Sequence, residues 1–295
     1  MAEAIQHTPE EMLREKRKVA LSSVFAAVFL TAIKLIVGVL TGSLGILSEA
    51  LHSALDLIAA LTTFFAVKIA DKPADTDHHY GHGKIENLSA LFETLLLIIT
   101  CFWIMYEAFE RLSTGATHFE ISFWGFAVVI VSIVVDIFRS RALMRVAKKY
   151  KSQALEADAL HFSTDIASSS VVLIGLTGAS FGFFKADSLA AVVVALIVLH
   201  VSYKLGRRSV DDLLDKSPGI DIGSITELAN RVSGITQVHN VRIRPSGSQI
   251  FIELNIHVAS NITIKDAHSI AHEYEALIKN AYERSNIHIH IEPEK

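Results

Sequence analysis

Cysteine is nearly absent. The 295 residues hold only Cys101, which excludes an intramolecular disulfide and any cysteine-rich metal site. No excess of positive charge exists either. Lysine and arginine number 27 against 31 acidic residues, so the formal net charge is −4 and no nucleic-acid surface is expected. The first eighteen residues, with PEEMLREKRK, lack the short apolar core and small-residue cleavage site of a secretory leader, so no cleavable signal is expected. Polarity is what the first two-thirds of the chain lacks most. VFLTAIKLIVGVL and LAAVVVALIVL offer almost none of the polar faces that buried helices of a large soluble fold would show at helical period.

What fills that space is apolar. Hydrophobic residues make up 51% of the chain, and the mean hydropathy is +0.40. Crossing a hydrocarbon layer of ~30 Å takes ~20 helical residues. Runs of that length fall at roughly 19–41, 44–70, 88–110, 121–143, 155–178 and 185–206. The sequence therefore predicts a six-helix transmembrane domain over 19–208, preceded by a cytoplasmic segment, 1–18. Lys and Arg collect before span one (Arg14, Lys16, Arg17, Lys18), between spans two and three (Lys72, Lys84), around the turn between four and five (Arg139, Arg141, Arg145, Lys148, Lys149, Lys151) and after span six (Lys204, Arg207, Arg208). The alternate connections TGSL, STGATHFE and GASFGFF hold none, although Arg111 and Lys185 flank two of them. That asymmetry predicts cytoplasmic N- and C-termini.

After Ser217-Pro218 the pattern changes. Residues 221–233 read as an amphipathic helix, and QVHNVRIRPSGSQIFIELNIHV alternates around a Pro-Ser-Gly-Ser turn as a hairpin. Residues 264–284 return to helical period, and NIHIHIE closes as a strand. The order αββαβ predicts a small cytoplasmic α+β domain over 209–295, ferredoxin- or metallochaperone-like, with helices on one side of a three-stranded sheet. A domain this small gains from a partner.

Polar residues inside the apolar runs need a reason. An Asp at mid-bilayer costs about 3 kcal/mol, so it normally faces a partner, a cavity or an ion. In LHSALD, His52 and Asp56 stand four residues apart on one helix face, and LHFSTD repeats the spacing at His161 and Asp165. Together the two faces offer two imidazole nitrogens and two carboxylates, a set suited to tetrahedral Zn2+. It suits Mg2+ or Ca2+ less and lacks the thiolates that hold Cu(I). The alternative is two separate His–Asp hydrogen bonds that pin helices together. Between spans two and three, Asp75, Asp77, His78, His79 and His82 crowd eight residues, either as a metal loop or as a solvated polar one. In the tail His239, His257, His268, His288, His290 and Glu292 lie on or near expected strands, with 288, 290 and 292 on one sheet face. Surface histidines without metal are the alternative there.

These features resemble the cation diffusion facilitator family over nearly the whole chain. The resemblance rests on six spans, the two His-x-x-x-Asp pairs, the stretch PADTDHHYGHGKIENL at 73–88 with its GHGK run, and the αββαβ tail. It implies a homodimer that exchanges divalent metal for protons, with His52, Asp56, His161 and Asp165 as the transport site. His52 stands where many bacterial members carry Asp, a pattern similar to that of the more zinc-selective members, the bacterial zinc/proton antiporter type. Asp75, His78 and His82 match a loop metal site. His239, His268, His290 and Glu292 match a binuclear cytoplasmic site, in which Asn255 replaces a family histidine and His257 stands two residues on, on the same face. Lys84 and Asp215 match a charge contact at the hinge after span six.

The resemblance thus implies efflux of Zn2+ by proton antiport across the cell inner membrane, with zinc both transported and regulatory. Efflux of Cd2+, Fe2+, Co2+ or Ni2+ through the same site, and a non-transporting metal sensor or assembly factor, are the competing readings. An intramembrane metalloenzyme would need an open coordination position beside a base, and no His-Glu-x-x-His or equivalent occurs, so no enzyme is expected.

Overall fold

The computed structural model describes residues 9–42, 44–114, 123–180 and 186–294. His7, His118 and Lys185 lie outside the described residues. Among those described, six long helices come first: α1 (Pro9–Thr41), α2 (Leu44–Ala70), α3 (Ile85–Thr114), α4 (Phe123–Tyr150), α5 (Gln153–Ser180) and α6 (Ala186–Leu213). Each contains one of the apolar runs. Glu10–Thr41, Glu49–Ala70 and Ile85–Glu110 are long and apolar enough by themselves to cross a membrane. The later helices are diluted by polar groups, Asp136 and Arg139 in α4 and Asp158, His161 and Asp165 in α5. Helix α1 begins ten residues before its apolar run, because EEMLREK is built of strong helix formers. The basic residues 14–18 therefore ride on its first turns.

Small side chains let these helices approach closely. Ala20, Ala59, Ala60, Ala147, Ala154, Ala157 and Ala159 are buried at contacts that larger residues would hold apart. Cys101 is buried in α3 as apolar filler. One end of the helical domain is tied by buried charges. Lys16 Nζ lies 3.0 Å from Asp71 Oδ1 and 2.5 Å from Glu86 Oε1, and Ser152 Oγ donates to Glu86 Oε2 at 2.5 Å. This one ammonium joins α1, the end of α2, α3 and the turn before α5. Deeper in, Ser23 donates to Asp158 Oδ2 at 2.9 Å and Arg139 Nε donates to Ser23 Oγ at 2.6 Å. Lys34 donates to Glu49 at 3.1 Å. Asp136 pairs with Arg139, three residues on, at 4.0 Å. Asp158 is fully buried; Ser23 satisfies its Oδ2, while Oδ1 has no hydrogen-bond partner.

The tail comprises α7 (Ile222–Ala229), β1 (Ile235–Ser246), β2 (Gln249–Val258), α8 (Ile264–Ala281) and β3 (Ser285–Pro293), with sheet order β1-β2-β3. Strands β1 and β2 are antiparallel across the Gly247-Ser248 turn, where Gly247 has φ +59°. Strand β3 runs parallel to β2, as a crossover through α8 requires. Asp221 caps α7 by accepting from the N–H groups of Gly223 and Ser224, and Thr263 caps α8 by accepting from Asp266 N. Ile252, Leu254, Ile256 and Val258 of β2 point into the core with Ala267, Ala271, Tyr274 and Ile278 of α8. The fully buried Tyr274 donates to Ile225 O at 2.8 Å, joining the two helices, and burial pushes its phenol up to about 12.

By packing, the chain divides into two units: Met1–Lys72 with Ile85–Ser209, and Pro73–Lys84 with Val210–Lys295. The segment between α2 and α3 therefore goes with the tail. Its attachment is close. A Cβ on Gly83 would stand 2.4 Å from Ser246 O, so backbone meets backbone at the hairpin tip. The Arg244 guanidinium lies over the ring of Tyr80 at 4.1 Å and over that of Phe251 at 4.9 Å.

Removing one partner of a buried ion pair leaves uncompensated charge and costs about 3–5 kcal/mol. Lys16→Met should therefore lower the stability of the helical domain by that order, read from thermal unfolding in detergent. An unchanged midpoint would show that the buried interlock carries no stability.

Candidate metal centres

Helices α2 and α5 bring the two His-x-x-x-Asp faces together. His161 Nε2 lies 3.1 Å from Asp56 Oδ1 and 3.7 Å from Asp165 Oδ2. His52 Nε2 lies 3.7 Å from Asp165 Oδ1 and 3.9 Å from Asp56 Oδ1. His52, Asp56 and Asp165 form one mutually close group of ligand atoms, and His161 stands beside it against Asp56 and the other Asp165 oxygen. Burial is graded across it. Asp56 and His161 are buried, Asp165 is partly covered, and the His52 side chain is 42% exposed. Asp165 Oδ2 is buried with no hydrogen-bond partner, a charged oxygen that a cation would satisfy. The ring of His161 is braced edge-on by Phe162, which also lies under the Arg139 guanidinium.

Two further groups lie in the second unit. In the loop, Asp75 Oδ1 is 3.4 Å from His78 Nδ1, and Asp75 Oδ2 is 3.4 Å from His82 Nε2. Asp75 Oδ1 also accepts from the backbone N–H of His78 at 2.7 Å and of Asp77 at 3.0 Å. Those two amides, His78 first, hold its carboxyl below the usual range and fix its direction. Asp77 and His79 stay outside this group. Lys84, two residues past His82, donates to Asp215 Oδ1 at 2.8 Å and to Leu213 O at 3.2 Å. Lys84 and Asp215 thus form an ion pair within one chain.

In the tail, His239, His257 and Glu292 converge on the open face of the sheet. His239 Nε2 and His257 Nε2 are 3.0 Å apart, and Glu292 Oε2 lies 3.5 Å and 3.2 Å from them. Strand register accounts for this: His239 pairs with Asn255 and Asn255 with His290, while His257 pairs with Glu292. A bulge in β1 between His239 and Arg242, with Asn240 at φ +54°, shifts the alternation by one residue. Without it His239 and Arg244 could not both face this side of the sheet. Asn255, at the family's histidine position, donates to Glu292 Oε1 at 2.6 Å. It acts here as a holder of the carboxylate, and the imidazole comes from His257 instead. His290 stands at the rim, exposed, 3.8 Å from Glu292 Oε1.

His268 is the departure from expectation. It does not join His239, His257 and Glu292 within the chain. Helical period turns Ala267 and Ala271 to the core and leaves His268 on the solvent side of α8, beside His272. His288 is exposed on β3, and His200 is exposed on α6. Sequence reasoning missed Glu93, fully buried on α3 and bonded to Thr63 Oγ1, because its apolar neighbours gave no spacing to notice.

A domain of long apolar helices followed by a small α+β tail is the build of a cation-efflux protein. The description "Cation efflux transmembrane domain" matches residues 20–214, and "Cation efflux protein, cytoplasmic domain" matches residues 217–294. An uncharacterized transporter from Methanocaldococcus jannaschii is 34% identical over 286 residues, covering 95% of this chain and 99% of the relative. The cation-efflux pump FieF of Shewanella oneidensis is 31% identical over 273 residues, 92% of each chain. Among solved structures, the copper form of a MamM CTD variant is similar at 28% identity, covering 25% of this chain and 92% of that one, with TM-score 0.24. The chain belongs to the cation diffusion facilitator family.

The Asn255 amide is the main cause holding the Glu292 carboxyl below its ordinary range. A depressed carboxyl contributes stability above its unfolded pKa and loses it as pH falls through the folded one. Asn255→Ala should therefore raise the Glu292 midpoint toward the ordinary carboxylate range, followed by carboxyl-carbon NMR. An unmoved midpoint would remove the holding role from Asn255.

Proposed function

We propose that this chain exports Zn2+ from the cytoplasm across the cell inner membrane in exchange for protons, working as a homodimer with both termini cytoplasmic. The observation that carries this reading is the His and Asp cluster at the α2–α5 contact. His52, Asp56 and Asp165 form one mutually close ligand group, and His161 lies 3.1 Å from Asp56 and 3.7 Å from Asp165 beside it. Two imidazoles among two carboxylates favour Zn2+ over the hard cations.

Exchange follows from the chemistry of those ligands. Imidazole and carboxylate bind a metal only when deprotonated, so each proton taken up weakens the hold on the ion. The half-exposed His52 sits where the ion meets the outer shell of the site, and the buried pair Asp56–His161 forms its floor. A site that opens in turn to the two sides would load zinc from the cytoplasm and release it where protons are more abundant.

The other two centres serve regulation in this reading. Asp75, His78 and His82 hold one ion, and His239, His257 and Glu292, with His290 at the rim, hold another. The N–N and N–O separations of 3.0–3.5 Å in the tail group fit borderline divalent ions. Each centre draws one carboxylate and two imidazoles together, and a divalent charge between them would hold the three lone pairs in one place.

Asp56→Ala or Asp165→Ala should abolish zinc uptake by proteoliposomes, by at least about tenfold, which corresponds to about 1.4 kcal/mol. Both variants should still insert and form dimers on size-exclusion chromatography. Near-normal zinc uptake by either one would remove the transport role from the tetrad.

A further inference from the structure

Away from the metal centres, α3 and α6 frame a cavity of about 470 Å³. The two helices approach closely here. Ala90 of α3 and Leu205 of α6 share a buried cluster with Ala157 of α5. A Cβ on Gly206 would stand 2.8 Å from Thr94 Cγ2, so only a glycine lets the helices close at the floor of the cavity. Thr94 Oγ1 donates to Ala90 O at 2.7 Å, which uses up the polar atom of that floor.

One wall is an apolar stripe of α3: Leu88, Leu91, Phe92, Leu95 and Ile98, at helical spacing. From Leu88 to Ile98 it rises about 15 Å, the depth of one leaflet of a ~30 Å hydrocarbon layer. The α6 side ends in polar groups. Tyr203 and Arg207, one turn apart, are both exposed there. The apolar run of α6 closes at Gly206 and that of α3 opens at Leu88, so Arg207 stands at the edge of the hydrocarbon. That is the depth of lipid phosphates, where tyrosine also collects. Arg208, the next residue, is committed to Glu156. Among the described residues no carboxylate takes up Arg207. Lys204, exposed three residues earlier, adds a second positive charge to this end of α6.

We propose that the α3–α6 groove binds one anionic phospholipid, with an acyl chain along the α3 stripe and the phosphate held by Arg207 and Tyr203. A guanidinium offers a phosphate two parallel N–H donors, and a headgroup without an ammonium meets no repulsion from Lys204. A zwitterionic lipid supplies the same chain but sets its ammonium against that positive rim. The apolar wall accepts any lipid; the uncommitted Arg207 at phosphate depth selects the charge. The site lies apart from the intramembrane tetrad and does not depend on which ion is transported.

Native mass spectrometry of the full-length protein in detergent, counting lipid retained per chain, tests this. The probes are dioleoyl phosphatidylglycerol, dioleoyl phosphatidylcholine with the same chains, and glycerol 3-phosphate as a headgroup without chains. Phosphatidylglycerol should be retained at lower concentration than phosphatidylcholine. Arg207→Gln should weaken its retention about fivefold and leave phosphatidylcholine unchanged. Arg141→Gln, at an exposed arginine of α4 outside the groove, should change neither. Equal retention of the two lipids, or an equal loss with Arg141→Gln, would overturn the site in favour of general attraction to a basic surface. Displacement of phosphatidylglycerol by an equal concentration of glycerol 3-phosphate would leave a phosphate site with no role for the groove, and would overturn it too. So would full oxidation of a Leu95→Cys, Cys101→Ser variant to a cross-linked dimer in the presence of phosphatidylglycerol, since a second copy would then cover the groove.

Discussion

Two carboxylates buried among apolar helices are the constraint around which the rest of the molecule is arranged. Asp56 and Asp165 stay in a membrane domain because each faces an imidazole from the other helix, with His161 against Asp56 and His52 against Asp165. That cross-pairing demands close approach of α2 and α5. Small residues let the neighbouring helices close around it, with Ala157 of α5 clustered with Ala90 of α3 and Leu205 of α6, and Ala159 with Leu143 of α4. A hydrophobic replacement of the four ligands would pack as well or better, since buried ion pairs seldom outdo apolar contacts.

The same logic extends outward through α1, α3 and α4. Lys16 joins Asp71 and Glu86, Ser23 joins Asp158 and Arg139, and Thr63 joins Glu93. Each is a polar link between different helices, and each removes freedom that a purely apolar bundle would keep. Several atoms of this set have no hydrogen-bond partner, among them Glu93 Oε2, Asp158 Oδ1 and His161 Nδ1.

Much of this was legible in the sequence, and the reasons differ by element. The tetrad was visible because helical spacing is local: four residues suffice to place His52 with Asp56 and His161 with Asp165. The loop was visible because its ligands are dense. The tail strands and helices followed from alternation and period, and all five elements occur, although α7 stops at Ala229 and α8 at Ala281. The ligand set of the tail was not legible in the same way. Its geometry depends on the β1 bulge at Asn240, which sets the face of Gln237, Val238 and His239 relative to Arg242, and alternation alone carries no sign of a bulge. His268 was drawn into that set by resemblance, whereas the helical period of α8 aligns it with His272. The packing of loop 73–84 with the hairpin was also hidden, because it joins Gly83 to Ser246 and Tyr80 to Arg244 across some 160 positions of chain.

The central claim is that metal ions and protons compete for the same four intramembrane ligands. Purified protein in vesicles loaded with both a zinc-sensitive and a pH-sensitive dye tests it directly. With zinc outside and an acidic lumen, zinc should enter faster than without a pH gradient, and the lumen should become more alkaline as it does so. A protonophore that collapses the gradient should remove the acceleration. Zinc entry that proceeds at one rate with or without the gradient, and leaves luminal pH unmoved, would contradict exchange at the tetrad.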